Sequence, residues 1–491
     1  MSAYSFTRGH SLPTIDKRVW PMMMAIGLFG VLIVKEISLP QPVILGFGIA
    51  GLLGLFMTGL QSPEVPFYVL VAYIPFSRIL VGDFGTQAYA LNMTNILTIW
   101  VFAGYLMKRA SQGKPIFQGT AFNRAVSLFA LMGGLSLVIA GFSYGSWYLW
   151  EFITPLKRWL TPMGFYFLTL WVVRDKPVYK TVAVLIMVAL TMVALMAIRD
   201  YMYVNDSSFE DSRVGGICEH SNTLGAFFVY YMFLFVGFFL VYPKRLKTWL
   251  LLIPFLLCFR GIMVTFSRGA YLAFAVGALG ACFFRSKGLF VAALASLMIA
   301  LANPILLPSG IRYRMGQTIA GATPAYLEAA PMTEGLEASS ATRLKIWQGA
   351  INMIKDHPLW GVGYGAFPHV LPRYTEDAVG EMDAHNSYLL IAGEMGIPTL
   401  LVFLLVLAMI MYYTRWLYRN TDDLTLKSVA LGFLAGLCGL LVANMFGSRM
   451  DSQEASGYFW ILCGLIMRGV LMERARLKSM GQGAKAVRVL G

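Results

Sequence analysis

Three residues in this chain have the types and positions to act together on a phosphorylated lipid. The stretch HNSYLLIAGEMGIP, His385 to Pro398, sets a histidine at the mouth of an apolar helix, directly after the longest polar segment of the sequence. Imidazole titrates at about pH 6.5, so a neutral His385 can take a proton from an acceptor hydroxyl at physiological pH. Asp383 lies just upstream, Asn386 and Ser387 can cap the helix, and a helix N-terminus favours a bound anion. Arg213 precedes the apolar run that begins at Asn222, and Arg268, in VTFSRGAY, sits between two apolar runs joined by almost no loop. Guanidinium groups match phosphate oxygens as a two-pronged fork, so these arginines suit a diphosphate. Together the residues read as an enzyme acting on a phosphorylated lipid at the outer face of a membrane.

Each has a plainer reading beside it. An arginine at a membrane edge can snorkel to lipid phosphate, and a histidine at a helix start can hydrogen-bond a neighbouring backbone group and do nothing more. Arg268 stands in a tight turn before Gly269, which favours burying its side chain among helices. Glu394 lies roughly 14 Å deeper than His385 by helical rise, just before Gly396 and Pro398 interrupt the helix. A carboxylate at that depth is expected to pair with a cation or a backbone group. His220 and Asn222, in CEHSN, can line the same outer cavity, but capping the next span is the expected role. Arg343 and Trp347 share one face of a loop helix, where packing against the membrane domain is the default and substrate contact the alternative. Arg260, mid-span in LCFRGIM, is expected to pair with Glu151 or Glu394. His357 and His369 read as loop residues without a catalytic role.

The elements that position these residues must cross a membrane. Hydrophobic residues make up 58% of the 491, charged residues 13%, and mean hydropathy is +0.65. A soluble domain carries about a quarter charged residues. Apolar runs occur at 20–34, 42–60, 66–82, 91–107, 125–142, 158–173, 178–198, 222–242, 248–266, 269–284, 288–306, 386–413, 428–446 and 457–472. That predicts an all-α polytopic membrane protein of roughly fourteen helices (about 12–14), since barrel strands would alternate with period two. Lys108, Arg109, Lys114, Arg124, Lys244, Arg245, Lys247, Arg285, Lys287, Arg415, Arg419 and the tail fall on one side by counting spans, with Lys35 the clearest exception. Short basic loops stay inside, so both termini are expected in the cytoplasm. The net charge of +14 is then a topological signal and an attraction to anionic membrane lipids, not a nucleic-acid surface.

The chain divides into N-terminal helices at 1–199, a membrane region with a short outer loop at 200–306, a large partly helical outer loop at 307–384, C-terminal helices at 385–472 and a basic tail at 473–491. Within the large loop, Leu344, Trp347, Ile351 and Ile354 recur at helical spacing, with Ser339 or Ser340 as candidate N-cap and Pro358 as the stop. The N-terminal apolar run ends in VKEISLPQ, without the small residues a signal peptidase needs, so it is expected to remain as the first span. Five scattered cysteines form no CxxC pair, and no DxD, HExxH or Walker pattern occurs. Neither a metal nor a cofactor is expected.

An RVGG…N.LG loop, an SRGAY turn, an R…W…HP.WGVGYGAF segment and the late HNSYLLIAGEMGIP occur in the order seen in the O-antigen ligase and polymerase superfamily, which the chain resembles over roughly residues 200–470. The resemblance implies a GT-C-type helical membrane domain in the bacterial inner membrane, with a periplasmic loop and active site. It implies transfer of a glycan from undecaprenyl diphosphate to an acceptor hydroxyl, with inversion and without metal. His385 would be the base or the acceptor-orienting residue, Arg213 and Arg268 would hold the diphosphate, and Arg343, Asn386, His220 and Glu394 would support them. The acceptor would be another lipid-linked glycan (a polymerase) or lipid A-core (a ligase). O-linked protein glycosylation and a transporter or flippase of lipid-linked glycans are the alternatives. The span count favours a polymerase. Many relatives carry proline before the asparagine where this chain has Ser221.

Overall fold

The computed structural model describes residues 59, 62–80, 92–113, 115, 117–204, 213–308, 310–312, 338–375, 382–448, 450 and 452–481. The runs expected at 20–34 and 42–60 lie outside these residues, Gly59 excepted, as do Lys35, residues 313–337 of the large loop and the end of the basic tail. No strand occurs among the described residues.

Every other expected span coincides with a helix. In chain order these are α1 (Glu64–Tyr73, continued to Leu80 by two short turns), α2 (Met93–Ser111), α3 (Ala121–Tyr144), α4 (Ser146–Val172), α5 (Lys176–Met202), α6 (Ser221–Val241), α7 (Leu246–Thr265), α8 (Arg268–Arg285) and α9 (Lys287–Ala302). The loop helix α10 (Ala338–Asp356) follows, then α11 (Ser387–Asn420), α12 (Leu424–Ala443) and α13 (Gln453–Ser479). By length and apolar composition 7 of the described helices can cross a membrane: α3, α5, α6, α7, α11, α12 and α13. Basic helix ends gather at one end of the bundle, where Arg174 donates to Tyr105 and Arg468 to the Arg174 carbonyl. There Lys176 pairs with Asp423 at 2.7 Å and Arg285 donates to the Leu240 carbonyl at 3.2 Å.

The core forms where helices carry little side chain. α12 packs on α6 and α8, and α13 on α4. A Cβ at Gly432 would sit 2.6 Å from the Leu234 Cα, and one at Gly436 2.2 Å from the Tyr230 carbonyl oxygen. In a bilayer, where lipid tails are as apolar as leucine, such close backbone approach is what drives helices together. Arg260 corrects its expectation: it is exposed, with its guanidinium 5.4 Å from the Tyr201 ring centroid, and so faces an aromatic ring instead of Glu151 or Glu394. α10 begins at Ala338, so Ser339 and Ser340 fall inside its first turn instead of capping it.

The large loop is anchored in a break of α11. Pro398 has no N–H for the Glu394 carbonyl, and Gly396 takes φ 82, ψ 167, a conformation open essentially to glycine. The freed backbone groups find partners in PLWGVGYG, Pro358 to Gly365. The Gly393 carbonyl accepts from the Val362 N–H at 2.8 Å and the Glu394 carbonyl from the Gly363 N–H at 2.9 Å, while the Ile397 N–H donates to the Pro358 carbonyl at 2.8 Å. Ser136 Oγ of α3 adds a bond of 3.0 Å to the Glu394 carbonyl. Buried backbone groups must be paired, so the loop and the kinked helix complete each other. A Cβ at Gly396 would meet the Leu359 carbonyl oxygen at 2.1 Å. Gly396→Ala is therefore expected to destabilise the protein by about 1–3 kcal/mol or more. This would appear as a lowered melting temperature of the detergent-purified protein, and an unchanged one would mean that the loop does not depend on this seat.

Candidate active site

The end of the bundle opposite these basic helix ends holds a cavity of about 900 Å³. Its wall draws on the end of α1 (Tyr73, Ser77, Arg78), the middle of α4 (Thr154, Lys157, Arg158) and the segment from Arg213 to Thr223 that leads into α6. Asp383 and His385 before α11, with the Phe446–Glu454 connection between α12 and α13, close it.

His385 is fixed from several sides. It has φ 48, left-handed backbone that histidine tolerates better than most residues, and stands two residues before α11 begins. Asn386, buried, is the N-cap: its Oδ1 accepts from the N–H groups of Tyr388 at 2.9 Å and Leu389 at 3.2 Å. Ser387 Oγ donates to the Gly447 carbonyl at 2.8 Å, and its N–H to the Asn444 carbonyl at 2.9 Å. On the other flank, the Trp347 indole of α10 donates to the Ala384 carbonyl at 3.1 Å. The Asp383 carboxylate accepts the His385 N–H at 3.1 Å and lies 3.5 Å from its Nδ1. The imidazole remains 42% exposed and so can meet a substrate.

Arg213 belongs to a second rigid piece. Its Nε donates to the Thr265 carbonyl at the end of α7 at 3.2 Å, and its Nη2 to Asn222 Oδ1 at 2.9 Å. The Val214 N–H donates to the Val264 carbonyl at 3.3 Å, tying the whole segment to α7. Asn222 thus orients the guanidinium. His220 occupies the N-cap position of α6 without a side-chain capping bond, and it is exposed on the cavity wall. The capping role expected for it does not hold: the imidazole accepts no N–H from the first turn of α6 and turns to the cavity instead.

The structure therefore brings His385, Arg213, His220 and Asn222 to one cavity. It does not bring all candidates there. Arg268 starts α8, where Ser267 Oγ accepts the Ala270 N–H at 3.4 Å; it is half-buried and outside the cavity wall. Arg343 is half-buried on α10, whose Trp347 packs toward Phe446 with ring centroids 6.4 Å apart. Glu394, 6% exposed, accepts the Phe367 N–H on Oε1 at 3.4 Å, the backbone pairing expected of it.

Three cations on the wall were not singled out from sequence: Arg78, Lys157 and Arg158. Arg78 forms an ion pair with Glu219, another left-handed residue at φ 60. The signal for Lys157 and Arg158 was their place beside Pro155 at the edge of the 158–173 apolar run, since basic residues carried on a spanning helix mark water-filled or substrate-lined space. Among the described residues, no group of three or more His, Cys, Asp or Glu side chains is placed to hold a metal ion.

Residues 253–404 match the Wzy_C family model, described as O-antigen ligase. That stretch runs from α7 into α11 and includes Arg268, Arg343, His385, Asn386 and Glu394, while Arg213 and His220 lie upstream of it. It agrees with the superfamily resemblance carried by the motifs. No curated protein matches the chain.

Proposed function

We propose, from the O-antigen ligase domain at residues 253–404, that this multi-pass membrane protein transfers a glycan from undecaprenyl diphosphate to an acceptor hydroxyl. The observation that carries the proposal is the placement of His385 and Arg213, held by separate helical pieces, on the wall of one cavity. The acceptor oxygen attacks the anomeric carbon in line with the departing diphosphate. A new C–O bond forms, the bond from that carbon to the phosphate oxygen breaks, and configuration inverts. The hydroxyl proton passes to His385, and the bond's electron pair leaves with the diphosphate. Asp383 beside Nδ1 favours the imidazolium that forms, as a carboxylate does in other histidine-base systems. Arg213, with Lys157 and Arg158 on the same wall, meets the growing charge on the leaving group, and preorganised cations of this kind supply the largest share of such barriers' lowering. Arg268 at the adjacent start of α8 is proposed as a second holder of the donor.

Basic residues at the far end of the bundle favour a cytoplasmic placement of that end, and the cavity is proposed to open at the periplasmic face of the inner membrane. The all-helical domain is proposed to be GT-C-like, with roughly fourteen spans in all.

Reconstitution with purified lipid-linked glycan, with and without lipid A-core, tests the proposal and its acceptor together. Chain growth without core means a polymerase, transfer only with core a ligase, and transfer only to protein an O-linked protein glycosyltransferase. Glycan delivered across the bilayer without a new bond would contradict the proposal in favour of a transporter. Activity is expected to survive EDTA, because the cations proposed for the diphosphate are side chains. Loss on chelation, restored by magnesium or manganese, would contradict that step.

A further inference from the structure

A second cavity, of about 260 Å³, opens beside the first and shares Asp383 and Ser448 with its wall. At about 30 Å³ per water, it has room for roughly nine waters, on the scale of one sugar ring and not of a chain. Phe152, Trp159 and Tyr364 line it, with Leu390 of α11, and Glu394 lies on the wall as its buried carboxylate. The aromatic residues are braced: Trp159 meets Phe129 edge-on at 4.9 Å between ring centroids, and Tyr148 Oη donates to the Tyr364 carbonyl at 2.9 Å.

We propose that this pocket is a subsite for one pyranose ring, the terminal sugar of the acceptor. A pyranose has a face of C–H groups and a rim of hydroxyls. Aromatic faces are electron-rich and attract the C–H face, while a carboxylate accepts hydroxyl hydrogens more strongly than a neutral group does. An isoprenoid tail fits the aromatic walls but leaves Glu394 facing hydrocarbon, which is costly. Position adds a second reason. Asp383, whose carboxylate lies 3.5 Å from His385 Nδ1, belongs to both cavities, so a ring seated here can turn an outward hydroxyl toward the cavity that holds the proposed base. The assignment to the acceptor rests on the transferase proposal; binding of a sugar does not.

Saturation-transfer NMR on the full-length detergent-purified protein, with methyl glucoside, galactoside, rhamnoside and N-acetylglucosaminide as probes, tests the subsite without turnover. Signal is expected for at least one probe, with affinity lowered about tenfold or more in Glu394→Gln, which loses the charge but keeps an acceptor for the Phe367 N–H. Leu390→Trp, filling the pocket, should abolish it. Should Leu390→Trp aggregate on gel filtration, Glu394→Gln carries the test alone. No signal with any probe, or signal unchanged in Glu394→Gln, overturns the subsite. In turnover, Glu394→Gln should raise the acceptor KM and leave the donor KM alone; a raised donor KM instead assigns the pocket to the lipid and overturns the proposal. Transfer by wild type without sugar binding in this pocket sinks the subsite only, whereas sugar binding without transfer sinks the transferase reading and leaves the sugar site.

Discussion

His385→Ala is expected to lower turnover by about 10²–10⁴-fold, the usual contribution of a positioned general base, if chemistry limits the rate. The loss should fall on turnover and not on donor binding, because the imidazole acts on the acceptor hydroxyl. Truncation should not unfold the region: Asn386 caps α11, and Ser387, Ala384 and Trp347 hold the neighbouring backbone, all independently of the imidazole. A melting temperature close to wild type is the control. Wild-type activity should rise with pH as an imidazole gives up its proton, then level off, since only the neutral ring can accept one. His385→Gln separates two roles. Glutamine can hydrogen-bond a hydroxyl but is no effective base, so wild-type turnover with an unchanged pH profile in that variant would reduce His385 to a positioning residue.

Arg213→Ala should lower activity by roughly tenfold or more, with poorer use of the diphosphate donor, as expected when a charge-assisted contact of about 1.5–3 kcal/mol is lost. Arg213→Lys should recover only part of it, because an ammonium cannot keep the bonds to Thr265 and Asn222 while presenting a fork to phosphate. Arg268→Ala is expected to act in the same direction. Its place off the cavity wall gives this comparison its use: full activity in Arg268→Ala alone would leave Arg213 and the α4 cations as the donor site, and full activity in both would remove the diphosphate role.

The helices were legible because hydrocarbon thickness fixes the length of an apolar run, so runs such as 178–198 and 428–446 met α5 and α12 within a few residues. The break in α11 was legible too, from Gly396 and Pro398. What fills the break was not. The bonds from Val362 and Gly363 to α11 join residues about thirty positions apart through backbone groups, which leave no trace in side-chain pattern. The same limit applies to the site. His385 and Arg213 stand out as polar residues at apolar boundaries, whereas Lys157 and Arg158 were absorbed at the edge of the 158–173 run, because hydropathy does not say which side of a helix a cation occupies. His220 shows a similar limit: an N-cap position can be read from sequence, but not whether the side chain turns back to the helix.

Whether His385 drives glycan transfer can be read in proteoliposomes holding wild-type or His385→Ala protein, supplied with a purified lipid-diphosphate glycan and an acceptor glycan, with formation of the new glycosidic bond followed by mass. Wild type should give product, with the linkage inverted, and His385→Ala about a hundredfold less or lower still at equal protein, the lower bound for a general base. No product from wild type with any acceptor, or equal rates from the two proteins, would contradict that role.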